Sequence, residues 1–158
     1  MARELETRIP PDLVGRLSEE PPECRALPLI SLDMQGYPHV ALLSYFEVLL
    51  WREKLHFYIG KGSRSAGNLD KRGKCTLVFA HRDFVYYLKG MARRVAEADS
   101  QTVFSFQPVS VSEDFPTPEE GQAALTSGIR FQADQDSLER RLQLRRRVSS
   151  RLTQAHQE

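Results

Sequence analysis

Cysteine is scarce in this chain, and its scarcity disfavours two classes of small protein. Cys24 and Cys75 are the only cysteines among the 158 residues, and neither has a second thiol or a histidine at the spacing of metal ligands. A disulfide framework needs paired thiols and a zinc site needs clustered ligands, so the sequence favours neither. We interpret both side chains as unreactive thiols in a reducing cytoplasm.

Long hydrophobic runs and a large excess of charge of one sign are also missing. Residues 1–6, half of them charged, lack the apolar core of a signal peptide, and no apolar stretch approaches the roughly 20 residues that a membrane-spanning helix needs. The formal net charge is only +1 and argues neither for nor against a nucleic-acid partner. We therefore expect a soluble, cytoplasmic protein with no membrane partner.

Strand-like segments fill the middle of the chain. Apolar and β-branched runs between turn signals predict about six strands. These strands span residues 27–32, 37–50, 55–59, 75–80, 84–96 and 102–111. Their regular spacing, with one helix after the third strand, is typical of a small barrel and not of alternating βαβ units. We predict a mainly β, six-stranded barrel with peripheral helices, formed by a single domain over residues 1–158. Its core covers about 24–114, and a helical extension covers about 117–155.

A glycine-rich turn after the third predicted strand is the most informative segment. Gly60 and Gly62 allow the backbone to turn sharply, and Ser63 is placed to cap the helix that follows. Free N–H groups at a helix start attract anions, and Arg64 adds a forked cation that can bind phosphate oxygens. The segment predicts a phosphate site. The alternative is an ordinary helix cap followed by a solvated arginine.

Two other phosphate-binding motifs fail on spacing. A P-loop would need a glycine at the position of Leu55. A dinucleotide fingerprint would need its third glycine at the position of Ser65.

The turn and the strand before it, His39–Tyr45 and Phe57–Ser65, together resemble the pyridoxamine 5'-phosphate oxidase family of split β-barrel flavoproteins. In that family a strand–turn–helix of the form Phe-Tyr-x-x-x-x-Ser-Arg-x binds the phosphate of flavin mononucleotide (FMN). The resemblance extends over about residues 29–95. It implies a split barrel of the FMN-binding type that holds FMN at the interface of a homodimer.

The resemblance also implies which residues contact the cofactor. The family's flavin ring lies against the backbone of the earlier strand, here Val40, Ala41 and Leu42, whose side chains are equally suited to an ordinary core. The positions beside the ribityl chain are Tyr58 and Ile59. The implied phosphate contacts are Ser63, Arg64 and Ser65.

Three cations of the oxidase-type members are replaced in this chain. The family has arginine where this chain has His39, and lysine where it has Ser44 and Ser65. FMN can still bind through Ser63, Arg64, Ser65 and backbone amides, and His39 is either directed at the flavin or substrate or is an ordinary strand residue. The substrate-binding arginine and histidine near the oxidase C-terminus have no counterpart. Oxidation of vitamin B6 phosphates is therefore not expected.

These matches and departures imply a flavin-dependent oxidoreductase acting on an unidentified small molecule, with NAD(P)H as a candidate electron donor. The chemistry then belongs to the flavin, so no catalytic side chain is assigned and no metal site is identified. The alternative is a non-catalytic flavin or haem binder that serves in sensing or storage. A deazaflavin is another cofactor found among relatives of the family.

The C-terminal third lies outside the resemblance. Thr117 and Glu120 form a capping-box pattern that predicts a helix ending at Gly128, and Asp136 is predicted to cap a final helix with an apolar stripe and many arginines. A helix packed on the barrel, with arginine stems over apolar surface, is one interpretation. Contact between this helix and the acidic segment 95–129 of a partner subunit is a second interpretation. Binding of this helix to nucleic acid is a third interpretation, which is disfavoured because interleaved aromatic residues are absent.

Overall fold

A computed structural model describes residues 2–5, 7–81, 84–120 and 128–157, with the backbone alone for residues 2–5 and 120. Its elements in chain order are β1 (Ala2–Leu5), α1 (Pro11–Leu17), β2 (Ala26–Leu32), β3 (Pro38–Ser44), a 3-10 turn (Tyr45–Glu47), β4 (Val48–Trp51), β5 (Lys54–Gly60), α2 (Arg64–Arg72), β6 (Lys74–His81), β7 (Phe84–Ala98), β8 (Gln101–Asp114), a second 3-10 turn (Pro118–Glu120) and α3 (Gln135–Ala155).

The described strands form one antiparallel sheet of eight strands in the order β3-β2-β6-β7-β8-β5-β4, with β1 paired to β8. The sheet is curled around a core, and β3 and β4 lie at its two ends without pairing with each other within the described residues. The prediction of a mainly β split barrel with peripheral helices is confirmed. The predicted number of strands is wrong.

The strand count is higher for two reasons. The first is β1, which the sequence analysis did not predict. The second is that the predicted strand over residues 37–50 divides into β3 and β4 at Ser44. The Ser44 backbone N–H and hydroxyl both donate to the Glu47 carboxylate, the hydroxyl at 3.0 Å. This capping box draws the next residues into a 3-10 turn, so the chain turns a corner before β4 begins.

The barrel core is formed by the inward faces of the strands. Side chains from β2, β5, β6, β7 and β8 are fully buried there, among them Leu27, Leu29, Phe57, Leu77, Leu88 and Phe104. A second apolar cluster lies on the outer face of β5 and β8. There Tyr58 and Val103 are covered by Val148 and Leu152 of α3, all four almost completely buried. The helical extension is therefore part of the packing of its own barrel.

The cap of α3 differs from the prediction. Asp134, not Asp136, is the N-cap, and its carboxylate accepts a hydrogen bond from the Ser137 backbone N–H at 2.7 Å. Asp136 lies in the first helical turn, where a negative charge is still favourable next to the positive end of the helix dipole. Asp134 and Asp136 are two residues apart, and the sequence pattern alone does not distinguish which of them caps the helix.

The arginines of α3 contact their own chain. Arg147 pairs with Asp99 at 2.6 Å and Arg146 with Glu20 at 2.8 Å, both on the surface. Exposed pairs of this kind contribute little to stability. Arg145 is different, because its guanidinium is partly buried and donates to backbone carbonyls of α1, the first 3-10 turn and β4.

The predicted helix after Thr117 begins as the 3-10 turn at Pro118–Glu120. The rest of the range predicted for this helix, residues 121–127, lies outside the described residues. None of the helices in the described ranges is both long enough and apolar enough to span a membrane.

Candidate functional site

The turn between β5 and α2 has the sharp backbone conformation predicted for Gly62, whereas Gly60 is the last residue of β5 and has no left-handed backbone. Gly62 has φ = +75°, a left-handed backbone that side chains with a Cβ rarely adopt. The Ser63 N–H donates to the Gly60 carbonyl at 3.1 Å, and the Lys61 N–H donates to the Ser100 carbonyl at 2.8 Å. The turn is thus held against the β7–β8 hairpin.

The start of α2 is capped as predicted. The Ser63 hydroxyl accepts a hydrogen bond from the Ala66 N–H at 3.2 Å, and Gly73, with φ = +68°, ends the helix. The first N–H groups of a helix have no intrahelical partners. Since the cap uses the N–H of Ala66, those of Arg64 and Ser65 remain available to a ligand.

The side chains of Arg64 and Ser65 are also available. Arg64 is exposed, and no carboxylate pairs with it in the part of the chain that the structure describes. Ser65 is only 4% exposed, yet its hydroxyl has no hydrogen-bond partner there. The nearby cations Lys61 and Arg94 are, by contrast, paired with carboxylates, including Glu97 at 2.6 and 2.8 Å. The start of α2 therefore has unneutralised positive charge and unused donors, which suit an anion.

Strand β3 lies next to this helix. Its residue His39 is opposite Ser31 across the β2–β3 pair, and the buried Ser31 hydroxyl accepts a hydrogen bond from Asn68 of α2 at 3.1 Å. The His39 and Ala41 side chains therefore lie on the face of β3 that α2 covers. The side chains of Val40 and Leu42 are on the opposite face, where they are 56% and 58% exposed.

The position of β3 in the sheet leaves part of its backbone free. Within the described residues, β3 pairs only with β2. Half of the N–H and C=O groups of such an edge strand are directed away from the sheet. The backbone around Val40, Ala41 and Leu42 can therefore hydrogen-bond to a ligand without disturbing the barrel.

The side chains of Tyr58 and Ile59 are both buried. Tyr58 lies beneath α3, and its hydroxyl donates to the Phe46 carbonyl at 2.9 Å. Burial, with the nearby Glu47 charge, raises the pKa of Tyr58 above its usual range, so the phenol is neutral. Ile59 is on the other face, in the barrel core. Their predicted contacts with the ribityl chain stay predictions, and the burial restricts such contacts mainly to the backbone.

Ser44 lies at the far end of β3, about 16 Å from His39 at the usual rise of a strand. Its hydroxyl donates to Glu47 and accepts a hydrogen bond from Arg141 of α3 at 3.3 Å. The Arg141 guanidinium also lies 4.9 Å from the centre of the Phe131 ring. The sequence analysis missed this cation, because nothing in the local pattern places a residue of the last helix beside β3.

Among the described residues, no cluster of three or more histidine, cysteine or acidic side chains is arranged to hold a metal ion. Cys75 is buried, and burial raises the pKa of its thiol to about 12. That thiol is protonated and unreactive at neutral pH.

The fold of this chain is similar to the folds of several solved proteins that carry different names. A conserved hypothetical protein from Mycobacterium tuberculosis is 10% identical, over 80% of this chain and 97% of that protein, with a TM-score of 0.55. HutZ, the haem storage protein from Vibrio cholerae, is 15% identical over 68% and 96%, with a TM-score of 0.50. An F420 reductase is 11% identical over 65% and 98%, with a TM-score of 0.50. At such low identity the similarity establishes the fold alone.

No curated protein matches this chain significantly in sequence. A family model does match. The model described as pyridoxamine 5'-phosphate oxidase aligns with residues 13–127, from α1 to beyond β8, and so includes β3, the glycine turn and α2. The match extends far beyond the local motif from which the resemblance was drawn, and it covers well over half of the chain. The chain belongs to the pyridoxamine 5'-phosphate oxidase family.

Proposed function

We propose that this chain binds FMN with the phosphate at the start of α2. One observation carries the proposal, namely the group of unused donors there. The Ser65 hydroxyl and the exposed Arg64 guanidinium have no partner among the described residues, and the N–H groups of the same two residues have none within the helix. Membership of the family supports FMN as the anion.

The residues present fit a phosphate monoester. Arg64 can donate two parallel hydrogen bonds to phosphate oxygens, and the helix dipole adds a partial positive charge at the same place. The Ser65 hydroxyl replaces the lysine that oxidase-type members have at this position, so the site has less charge but keeps a donor. Lys61 does not compensate, since Glu97 neutralises it.

The open edge of β3 is the proposed place of the isoalloxazine ring. Backbone groups of Val40, Ala41 and Leu42 are available there, because β3 has a sheet partner on one side only within the described ranges. His39 lies on the face nearest α2 and is the proposed side-chain neighbour of the ring or of a substrate. Ser44, engaged with Glu47 and Arg141, is the more distant candidate.

Bound FMN supplies hydride transfer, so we propose a flavin-dependent oxidoreductase of the cytoplasm that acts on a small molecule, with NAD(P)H as donor. The residues of this chain anchor the phosphate, orient the ring and exclude water. Replacement of the family cations by His39, Ser44 and Ser65 disfavours a vitamin B6 phosphate as the substrate. The phosphate of such a substrate would need positive side chains in addition to those that bind FMN.

We propose that a second copy of the chain covers the outer face of β3. Val40 and Leu42 are more than half exposed there, and Ile30 of β2 is the cross-strand neighbour of Val40. Val109, 59% exposed, lines the same groove as Ile30. Exposed apolar residues on an edge strand favour association. A partner at this face would also cover a ring bound at the β3 edge.

The absorbance spectrum of the purified protein tests the cofactor. We expect flavin bands, and we expect the protein stripped of cofactor to regain them with FMN and more weakly with riboflavin. A haem Soret band instead would favour the non-catalytic haem binder, and an F420-type spectrum would favour a deazaflavin. Failure to bind FMN in a direct titration of the folded protein would refute the proposal.

The dimer is tested by the substitution Leu42→Glu, which places a charge in the proposed apolar interface. We expect the wild-type dimer to survive 1 M salt, because apolar contacts are not screened. We expect Leu42→Glu to convert it to a monomer and to lower flavin retention. Sedimentation velocity with detection at a flavin wavelength measures both properties.

The matched control is Met34→Glu, because Met34 has the same 58% exposure as Leu42 but lies in the β2–β3 turn. This variant should remain dimeric. A wild-type monomer that retains flavin would contradict the proposed assembly.

A further inference from the structure

A second cleft lies on the outer face of the barrel, at the point where α3 ends. Its volume is about 540 Å3, and it is bordered by the β4–β5 hairpin, by β7 and β8, and by His156 after the last helical turn. The family match ends at residue 127 and does not include His156. None of the residues of α2 lines this cleft, which is therefore separate from the proposed FMN site.

A row of polar side chains crosses three neighbouring strands in the cleft. His56 of β5 is opposite Ser105 of β8, and Ser105 is opposite Arg93 of β7. Paired residues of neighbouring strands lie on one face of a sheet, with strands about 4.8 Å apart. Lys54 is two residues from His56 on the same strand and is directed to the same side. The register thus brings together groups that are far apart in the sequence.

The cleft contains unneutralised positive charge. Its lining includes Arg52, Lys54 and Arg93 and no acidic residue among the described part of the chain. None of the three forms an ion pair within that part, whereas Arg94, Arg146 and Arg147 do. Positive charge concentrated in a concave surface attracts anions.

The arginine at the hairpin is held in position by an aromatic ring. The Arg52 guanidinium lies 4.5 Å from the centre of the Trp51 ring, and such a cation–π contact restricts the side chain. His156 contacts the same ring, with 4.3 Å between the ring centres. Together with Met91 and Val95, Trp51 gives the cleft an apolar wall beside its charges.

His56 adds a ring nitrogen that no described residue contacts by a hydrogen bond. It is 2% exposed and lines the cleft. Its Nδ1 is 3.1 Å from the Lys54 carbonyl and donates to it in the neutral tautomer. Its Nε2 has no partner in the ranges that the structure describes. Burial lowers the pKa of His56, so the ring is neutral at pH 7 and Nε2 is an acceptor.

We propose that this cleft binds a small aromatic anion, with its carboxylate or phosphate against Arg93, Lys54 and Arg52 and its ring against the wall formed by Trp51. The positive side chains bind the anionic group of the ligand, and the apolar wall packs against its aromatic ring. The Nε2 of His56 accepts a hydrogen bond from a hydroxyl or N–H group on the ligand. The site does not depend on flavin binding.

Trp51 is the only tryptophan of the chain, so its fluorescence reports on the cleft. The full-length protein is titrated with benzoate and with phenyl phosphate, which distinguish the two anionic groups, and with benzyl alcohol as the neutral control. Calorimetry of the same mixtures detects binding that leaves the fluorescence unchanged. We expect saturable binding of at least one of the two anions, at least tenfold tighter than that of benzyl alcohol.

Arg93→Gln is expected to weaken this binding at least tenfold. The matched control is Lys89→Gln, which removes the same charge from the same strand outside the cleft and should change the affinity less than twofold. Circular dichroism verifies that both variants are folded. The proposal would be overturned if neither method detected saturable binding of an anion. It would also be overturned if benzyl alcohol bound as tightly as the anions, or if the two variants had equal effects.

Discussion

Replacing Arg64 by alanine is expected to weaken FMN binding by about tenfold to a hundredfold and to leave riboflavin binding almost unchanged. Hydrogen bonds to charged groups contribute roughly 1.5–3 kcal/mol, and each 1.4 kcal/mol corresponds to about a factor of ten in Kd. Arg64 is exposed and unpaired within the described residues, so its removal breaks no other contact of the described structure. Riboflavin has no phosphate, so only FMN should lose affinity.

Titration of the stripped protein, followed by the quenching of flavin fluorescence, measures the two dissociation constants. Lys71→Ala is the matched control, because Lys71 is an exposed cation in the last turn of the same helix. It should alter neither constant by more than about twofold. Equal losses for FMN and riboflavin in Arg64→Ala would show that Arg64 does not contact the phosphate.

Replacing Arg145 by methionine is expected to lower the free energy of unfolding by about 3 kcal/mol. The Arg145 guanidinium donates to the carbonyls of Tyr45, Phe46 and Leu17 at 3.0–3.1 Å and also to that of Val48. It joins α3 to α1 and to the corner between β3 and β4. Burial lowers the pKa of Arg145, yet the group remains charged at neutral pH. Methionine preserves the apolar stem and leaves these carbonyls without their donor.

Urea denaturation measures the change, which corresponds to a fall in Tm of about 6–12 °C for a chain of this size. Arg140→Met is the control, because Arg140 is exposed on the same helix and its side chain bonds only to a carbonyl of its own helix among the described contacts. Its effect should stay within about 0.5 kcal/mol. Equal effects of the two substitutions would show that the four carbonyl contacts do not stabilise the fold.

The start of α2 was predictable because the interactions that form it are local. Gly62, Ser63 and Gly73 lie within a dozen residues, and each acts through its own backbone conformation or a contact three or four residues away. The division of the predicted strand at Ser44 was not recognised. Its capping box is equally local, but the apolar run through residues 45–50 is compatible with both a strand and a corner.

The surroundings of the candidate site depended on pairing across the sheet. Ser31 lies beside His39 only through the register of β2 with β3, and Asn68 reaches Ser31 only once α2 has packed on that sheet. Likewise His56, Ser105 and Arg93 form one row solely through the register of three strands. A slip of one residue would turn each of these side chains to the opposite face.

Three features were predictable from the sequence: the strand-rich barrel class, the glycine turn, and the capped helix with its Ser63-Arg64-Ser65 start. These features follow from periodicity and from backbone preferences that act over a few residues. Three others emerge from the folded chain: β3 is an edge strand within the described residues, Arg141 and Arg145 of the last helix reach the β3–β4 corner, and a cationic cleft lies beside Trp51. Each of these features depends on contacts between residues that are distant in sequence. Burial of a common core brings those residues together, and no local pattern indicates which of them will meet.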